Sequence, residues 1–125
     1  MNLNQVTISS LDVAKSTEFY KILGLRLIVD ALPRYVRFEC PNGDSTFSIS
    51  SVEELPEGNK ITFYFEVDNL SKTVLELKEK GVIFNTEITE QPWLWTDVNL
   101  NDPDGHDLII YNAGENRKNP PWRVT

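Results

Sequence analysis

QPWLWTDVNLNDPDGHDLIIY, residues 91–111, places two runs of alternating character on either side of the turn DPDG. Val98 and Leu100, then Leu108 and Ile110, put an apolar residue at every second position, which is the period of a strand with one buried face. An earlier stretch, RYVRFECPNGDSTFSIS at 34–50, follows the same plan around PNGD, with Val36 and Phe38 before the turn and Phe47 and Ile49 after it. Pro, Asn, Asp and Gly clustered between two such runs punctuate a hairpin. The chain therefore carries one strand–turn–strand pattern twice.

Upstream of each hairpin the order also repeats. LNQVTIS at 3–9 alternates, with Val6 and Ile8 on one side and Gln5, Thr7 and Ser9 on the other. From Asp12 to Leu23 the period lengthens, and Val13, Ser16, Tyr20 and Leu23 form a helical stripe. Asp12 suits an N-cap, and Gly24 suits the left-handed position that ends a helix. LRLIV at 25–29 is the next strand, followed by strands at 34–40 and 45–51. ITFYFEV at 61–67 opens the second round. Asp68 or Asn69 caps a helix over 69–80 with the stripe Leu70, Val74, Leu77, and Gly81 stops it. VIFNTEI at 82–88 reads as a strand before those at 94–100 and 107–111. Gly24 matches Gly81 and Pro41–Gly43 match Pro103–Gly105, a repeat of roughly 57 residues that implies two fused copies of one βαβββ unit. The first spans about 3–51, a polar linker covers 52–60, and the second spans about 61–111. The tail 112–125 should be extended, because Pro120 and Pro121 bar a helix, with Trp122 pinning it to the body.

At 125 residues the chain has the length of one domain, 1–125. Its net charge of −7 and the lack of any Lys/Arg stripe argue against nucleic acid and against an anionic membrane surface. No apolar run approaches the ~20 residues of a membrane span. The polar start MNLNQVTISS has no signal-peptide core, and the single Cys40 allows no intrachain disulfide, so a cytoplasmic location is expected.

NQVTISSLDVAKSTEFYKILG (4–24), FEVDNLSKTVLELKEKGV (65–82) and the closing hairpin 91–111 together resemble the vicinal oxygen chelate superfamily of glyoxalases, bleomycin-resistance proteins and extradiol dioxygenases. The resemblance implies an α+β fold, two tandem βαβββ modules forming a curved mixed sheet around a central cleft. It also implies a homodimer. In that superfamily four strands each supply a metal ligand to the cleft. The matching positions here are Gln5, Ser48, Thr62 and Ile109. Two hydroxyls and a hydrocarbon do not suit a divalent ion that wants imidazole, carboxylate or thiolate. No metal and no other cofactor are expected.

Strand parity selects the residues that face away from the helices. Val6, Ile8, Val36, Phe38, Phe47, Ile49, Phe63, Phe65, Val67, Val98, Leu100, Leu108 and Ile110 belong to the helix side. The other parity supplies the candidate ligand-binding set Gln5, Ser48, Thr62, Tyr64, Glu66, Trp95, Asp97, Ile109 and Tyr111, with Thr7, Ser50, Tyr35, Arg37 and Trp93 beside it. Aromatics mixed with scattered polar groups are what a small-molecule pocket needs, although Trp95 and Tyr111 can equally be packing between modules. The expected function is metal-free binding of a small organic molecule, aromatic or cationic. One alternative is a diverged lyase, isomerase or dioxygenase with a shifted or lost metal site and Glu66 or Asp97 as acid or base, and another is a pure interaction or dimerisation module; no catalytic residue is assigned.

Overall fold

The computed structural model describes residues 1–58 and 60–125. In chain order the elements are β1 (Gln5–Ser10), α1 (Val13–Ile22), β2 (Arg26–Ala31), β3 (Tyr35–Glu39), β4 (Thr46–Ser51), β5 (Thr62–Glu66), α2 (Leu70–Glu79), β6 (Thr89–Glu90), β7 (Thr96–Asn101), β8 (Asp107–Asn112) and a short 3-10 helix, Gly114–Arg117. The strands form two four-stranded mixed sheets, ordered β1-β4-β3-β2 and β5-β8-β7-β6. In each sheet the first strand runs parallel to the last, and the other pairs are antiparallel. The same permutation twice is the βαβββ repeat read from the sequence. Among the described residues no helix is long and apolar enough to cross a membrane.

The chain divides into two compact units. One is Met1–Asn59 with Asp102–Asp104, and the other is Lys60–Asn101 with Gly105–Thr125. In the first, α1 packs on β3 and β4. Ile8, Val36, Phe38, Phe47 and Ile49 are buried on that side with Val13 and Tyr20. In the second, α2 packs on β8, and Val98, Leu100, Leu108 and Ile110 are buried with Leu70, Val74 and Leu77. Val6, Phe63, Phe65 and Val67 are half-buried members of the same parity.

Both helices use the same end chemistry. The side chains of Asp12 and Asn69 accept from the backbone N–H of Lys15 and Lys72, each at 3.1 Å, so each satisfies an otherwise orphan donor of the first turn. At the C-terminal ends, Gly24 N–H donates to Lys21 O and Leu25 N–H to Tyr20 O. Gly81 to Lys78 and Val82 to Leu77 repeat the pattern. This paired closure needs a left-handed residue, and Gly24 and Gly81 supply it with φ of 103° and 90°. Replacing Asn69 by Ala should lower unfolding free energy by about 0.5–2 kcal/mol, with Asn69→Asp restoring most of it. Urea denaturation of the three proteins measures the differences.

The structure corrects the sequence reading in three places. Residues 82–88 are not a strand; β6 is confined to Thr89–Glu90. Asn85 N–H donates to Asn99 O at 2.8 Å, Asn99 N–H donates to Thr86 Oγ1 at 3.0 Å, and Asn85 Nδ2 reaches the side-chain oxygens of Asn99 and Asn101 at 2.7 Å each. Asn and Thr side chains thus replace the ladder along that edge of β7. The strand expected at 94–100 starts only at Thr96, because Leu94 stands at φ 68° in a turn closed by Leu94 N–H to Gln91 O. The tail is not extended throughout. Gly114–Arg117 makes one 3-10 turn, since Pro120 and Pro121 restrict only themselves and the residues just before them. Trp122 is 56% exposed, so it does not pin the tail by burial.

Candidate functional site

The pairing registers decide which side chains share the sheet faces opposite the helices. In the first unit Thr7, Ser48 and Arg37 form one cross-strand row, with Ser9, Ser50 and Tyr35 as the next. The row on the other side is Gln5, Thr46, Glu39 and Arg26. The side-chain amide of Gln5 links two of these rows: its Nε2 donates to Ser48 Oγ and its Oε1 accepts from Thr46 Oγ1. Ser48, fully buried, also accepts from the Tyr35 hydroxyl at 2.8 Å, and Tyr35 accepts from Arg37 Nε at 2.9 Å. Arg37 Cζ lies 5.6 Å from the Tyr35 ring centroid. The hydrogen bond to Ser48, aided by the Arg37 guanidinium, holds the Tyr35 hydroxyl below the usual tyrosine range. Gln5 and Ser48 are therefore brought together. Tyr35 and Arg37, peripheral candidates in the sequence, complete their network.

In the second unit Thr62 and Asp107, Tyr64 and Ile109, and Glu66 and Tyr111 are direct neighbours across β5 and β8. Asp97 and Asn99 lie opposite Tyr111 and Ile109 from β7. Trp95, just before β7, stacks on Tyr111 with ring centroids 4.4 Å apart and planes 14° from parallel. Tyr64 meets both rings edge-on, 5.9 Å from each and inclined 90° and 86°. This edge-to-face arrangement matches the positive rim of one ring to the negative face of another. Tyr111 is buried while Tyr64 is 53% exposed. Burial, reinforced by the nearby Glu66 carboxylate, pushes the Tyr111 hydroxyl above its ordinary value. Asp97 is buried and accepts from Gln91 Nε2 at 3.0 Å. Glu66 accepts Ala113 N–H at 3.2 Å and faces Arg117 Nε at 3.5 Å.

Arg117, Ala113 and Gln91 had no signal in the sequence. They lie in a turn and a tail, where no periodicity reports which way a side chain points. Trp93, a rim candidate, is 46% exposed in the turn before β7. A depression of about 550 Å³ also lies in the second unit, between Lys78 of α2 and Ile83, Phe84, Asn85 and Glu87. It contains none of the candidate residues, and it was hidden because 82–88 reads as a strand. Cys40 is half-buried, and burial pushes its thiol up, away from the reactive thiolate.

The four positions that the resemblance equates with metal ligands contain one amide, two hydroxyls and one hydrocarbon. The Gln5 amide is committed to Ser48 and Thr46 on both its atoms. Ile109 offers no donor, and Thr62 is neutral. This set does not fit a divalent transition metal.

Residues 2–110 match the family described as the Glyoxalase/Bleomycin resistance protein/Dioxygenase superfamily. The phenazine antibiotic resistance protein EhpR of Enterobacter agglomerans is 31% identical over 123 residues, covering 87% of this chain and 88% of that protein. Among solved structures, a glyoxalase/bleomycin resistance protein/dioxygenase from Nocardioides superposes with a TM-score of 0.78 at 18% identity, covering 100% of this chain and 90% of that one. The lactoylglutathione lyase of Agrobacterium tumefaciens gives 0.73 at 13% identity, over 89% and 92%. At those identities the two structures show a common fold alone. The family match over nearly the whole chain, with the duplicated βαβββ topology, makes this protein a member of the glyoxalase/bleomycin resistance protein/dioxygenase superfamily.

Proposed function

We propose that this chain is a metal-independent binding protein for a planar aromatic molecule, acting by sequestration as a resistance protein would. The observation that carries the reading is the Trp95–Tyr111 stack with Tyr64 set edge-on beside it. These rings share the sheet face opposite α2 and leave Tyr64 largely accessible, so a flat ligand meets a prearranged aromatic wall. Ile109, directly beside Tyr64, keeps that wall apolar where the superfamily would place a metal ligand. The likeness to a phenazine resistance protein supports a fused-ring heteroaromatic as the ligand class.

The test is a calorimetric titration with phenazine, run on protein as purified, after EDTA treatment, and after incubation with Zn²⁺ or Ni²⁺. Equal affinity in all three is expected. Binding that disappears with EDTA and returns with metal would overturn the metal-independent reading. No phenazine binding in any condition would remove the proposed ligand class.

A further inference from the structure

The first unit holds a cation that the aromatic wall does not use. Arg37 is half-buried in the middle of β3. Its Nε is bonded to the Tyr35 hydroxyl, which fixes the plane of the guanidinium. Among the described residues no carboxylate oxygen lies within ion-pairing distance of it. Glu39, the carboxylate two residues along the same strand face, is already paired with Arg26 at 2.8 Å. Among the described residues no buried side-chain nitrogen lacks a partner, so the two Nη atoms, which bond to no residue named above, stay within reach of solvent. Arg37 is thus an uncompensated guanidinium on a hydroxyl-rich sheet face of a chain with net charge −7.

We propose that Arg37, with the Tyr35 hydroxyl beside it, is a binding site for the carboxylate group of a small organic acid. A guanidinium presents two parallel N–H donors that match the two oxygens of a carboxylate, and fixing it beforehand removes part of the entropy lost on binding. Thr7 and Ser48 occupy the same cross-strand row, so the surroundings are hydroxyls instead of competing acids. The site goes beyond the aromatic reading: it lies wholly in the first unit and depends on no residue of the second.

Benzoate is a suitable probe, followed by NMR of the arginine Nε–Hε signals in protein labelled with ¹⁵N-arginine. The signal absent from Arg37→Met identifies Arg37. In the wild type that signal should shift and saturate with a Kd on the order of 1 mM, as for a single preorganised ion pair with a small ligand. Arg37→Met should weaken benzoate binding at least about tenfold, and Tyr35→Phe should weaken it less. Benzamide, isosteric but neutral, should leave the signal in place. An Arg37 signal unmoved by benzoate overturns the proposal, as does a shift shared equally by all the arginines or reproduced by benzamide. Arg37→Lys removes the same signal, so the assignment and the wild-type readout stand even if Arg37→Met fails to fold. Phenazine binding without a benzoate response defeats this inference alone; the converse defeats only the aromatic reading.

Discussion

Replacing Tyr20 by alanine is expected to lower the unfolding free energy by about 3–5 kcal/mol, the range for removing a large buried ring. Tyr20 is 0% exposed, with its ring 4.8 Å from Phe47 and 6.3 Å from Phe38. Its hydroxyl donates to Asp102 Oδ2 at 2.6 Å, so alanine leaves a cavity and takes a donor from a buried carboxylate. Tyr20→Phe separates the two effects: it keeps the ring and should cost about 1.5–3 kcal/mol, the range for a hydrogen bond to a charged group. A pH series gives an independent check. Burial and the adjacent Asp102 carboxylate push the Tyr20 hydroxyl far above the ordinary tyrosine value of 10.0. Above that pH an unfolded tyrosine releases its proton while the folded one keeps it, so the unfolded state binds fewer protons and stability falls as pH rises. Tyr20→Phe should flatten that alkaline decline. Equal slopes in the two proteins would contradict the burial of a neutral hydroxyl.

The second large effect concerns ligand affinity. Trp95→Ala should weaken phenazine binding by about 1–3 kcal/mol, the scale of a lost aromatic contact, which is roughly 5- to 150-fold. The thermal midpoint should move little, because Trp95 is half-buried and the second unit's core is formed by Val98, Leu100, Leu108 and Ile110 on the opposite face. A protein that unfolds on Trp95→Ala, or one whose phenazine affinity is unchanged, would make the Trp95–Tyr111 stack simple packing.

The parts of the fold legible in the sequence are those governed by local rules. Asp12, Gly24 and Gly81 mark helix ends through backbone hydrogen bonds that involve only near neighbours. Alternation at Val36, Phe38, Phe47 and Ile49 fixes a buried face without knowledge of the partner strand. The same parity placed Trp95, Tyr111 and Tyr64 together, and Gln5 with Ser48. Local rules do not reach the interactions formed by irregular backbone. VIFNTEI has the composition of a strand, yet Asn85 and Thr86 bond the edge of β7 through side chains. Glu66 is held by Ala113 and Arg117, far along the chain and in a 3-10 turn. The Arg37–Tyr35–Ser48 relay depends on rotamers, so parity could name its members but not their order.

The three residues Asp102–Asp104 belong to the first compact unit although they lie within the closing hairpin of the second repeat. Asp102 takes the Tyr20 hydroxyl, while Asp104 accepts Leu11 N–H at 2.9 Å and the Ser16 hydroxyl at 2.8 Å. During synthesis, then, the amino-terminal half has all its own strands long before it has the carboxylates that satisfy its buried hydroxyls. A nascent chain stalled after β4 should expose an incompletely bonded α1, sensitive to protease, and gain full protection only once residue 104 has left the ribosome. An intein or nick placed in the linker should therefore give an amino-terminal fragment whose α1 gains protection only when the carboxy-terminal fragment carrying Asp102 and Asp104 is added.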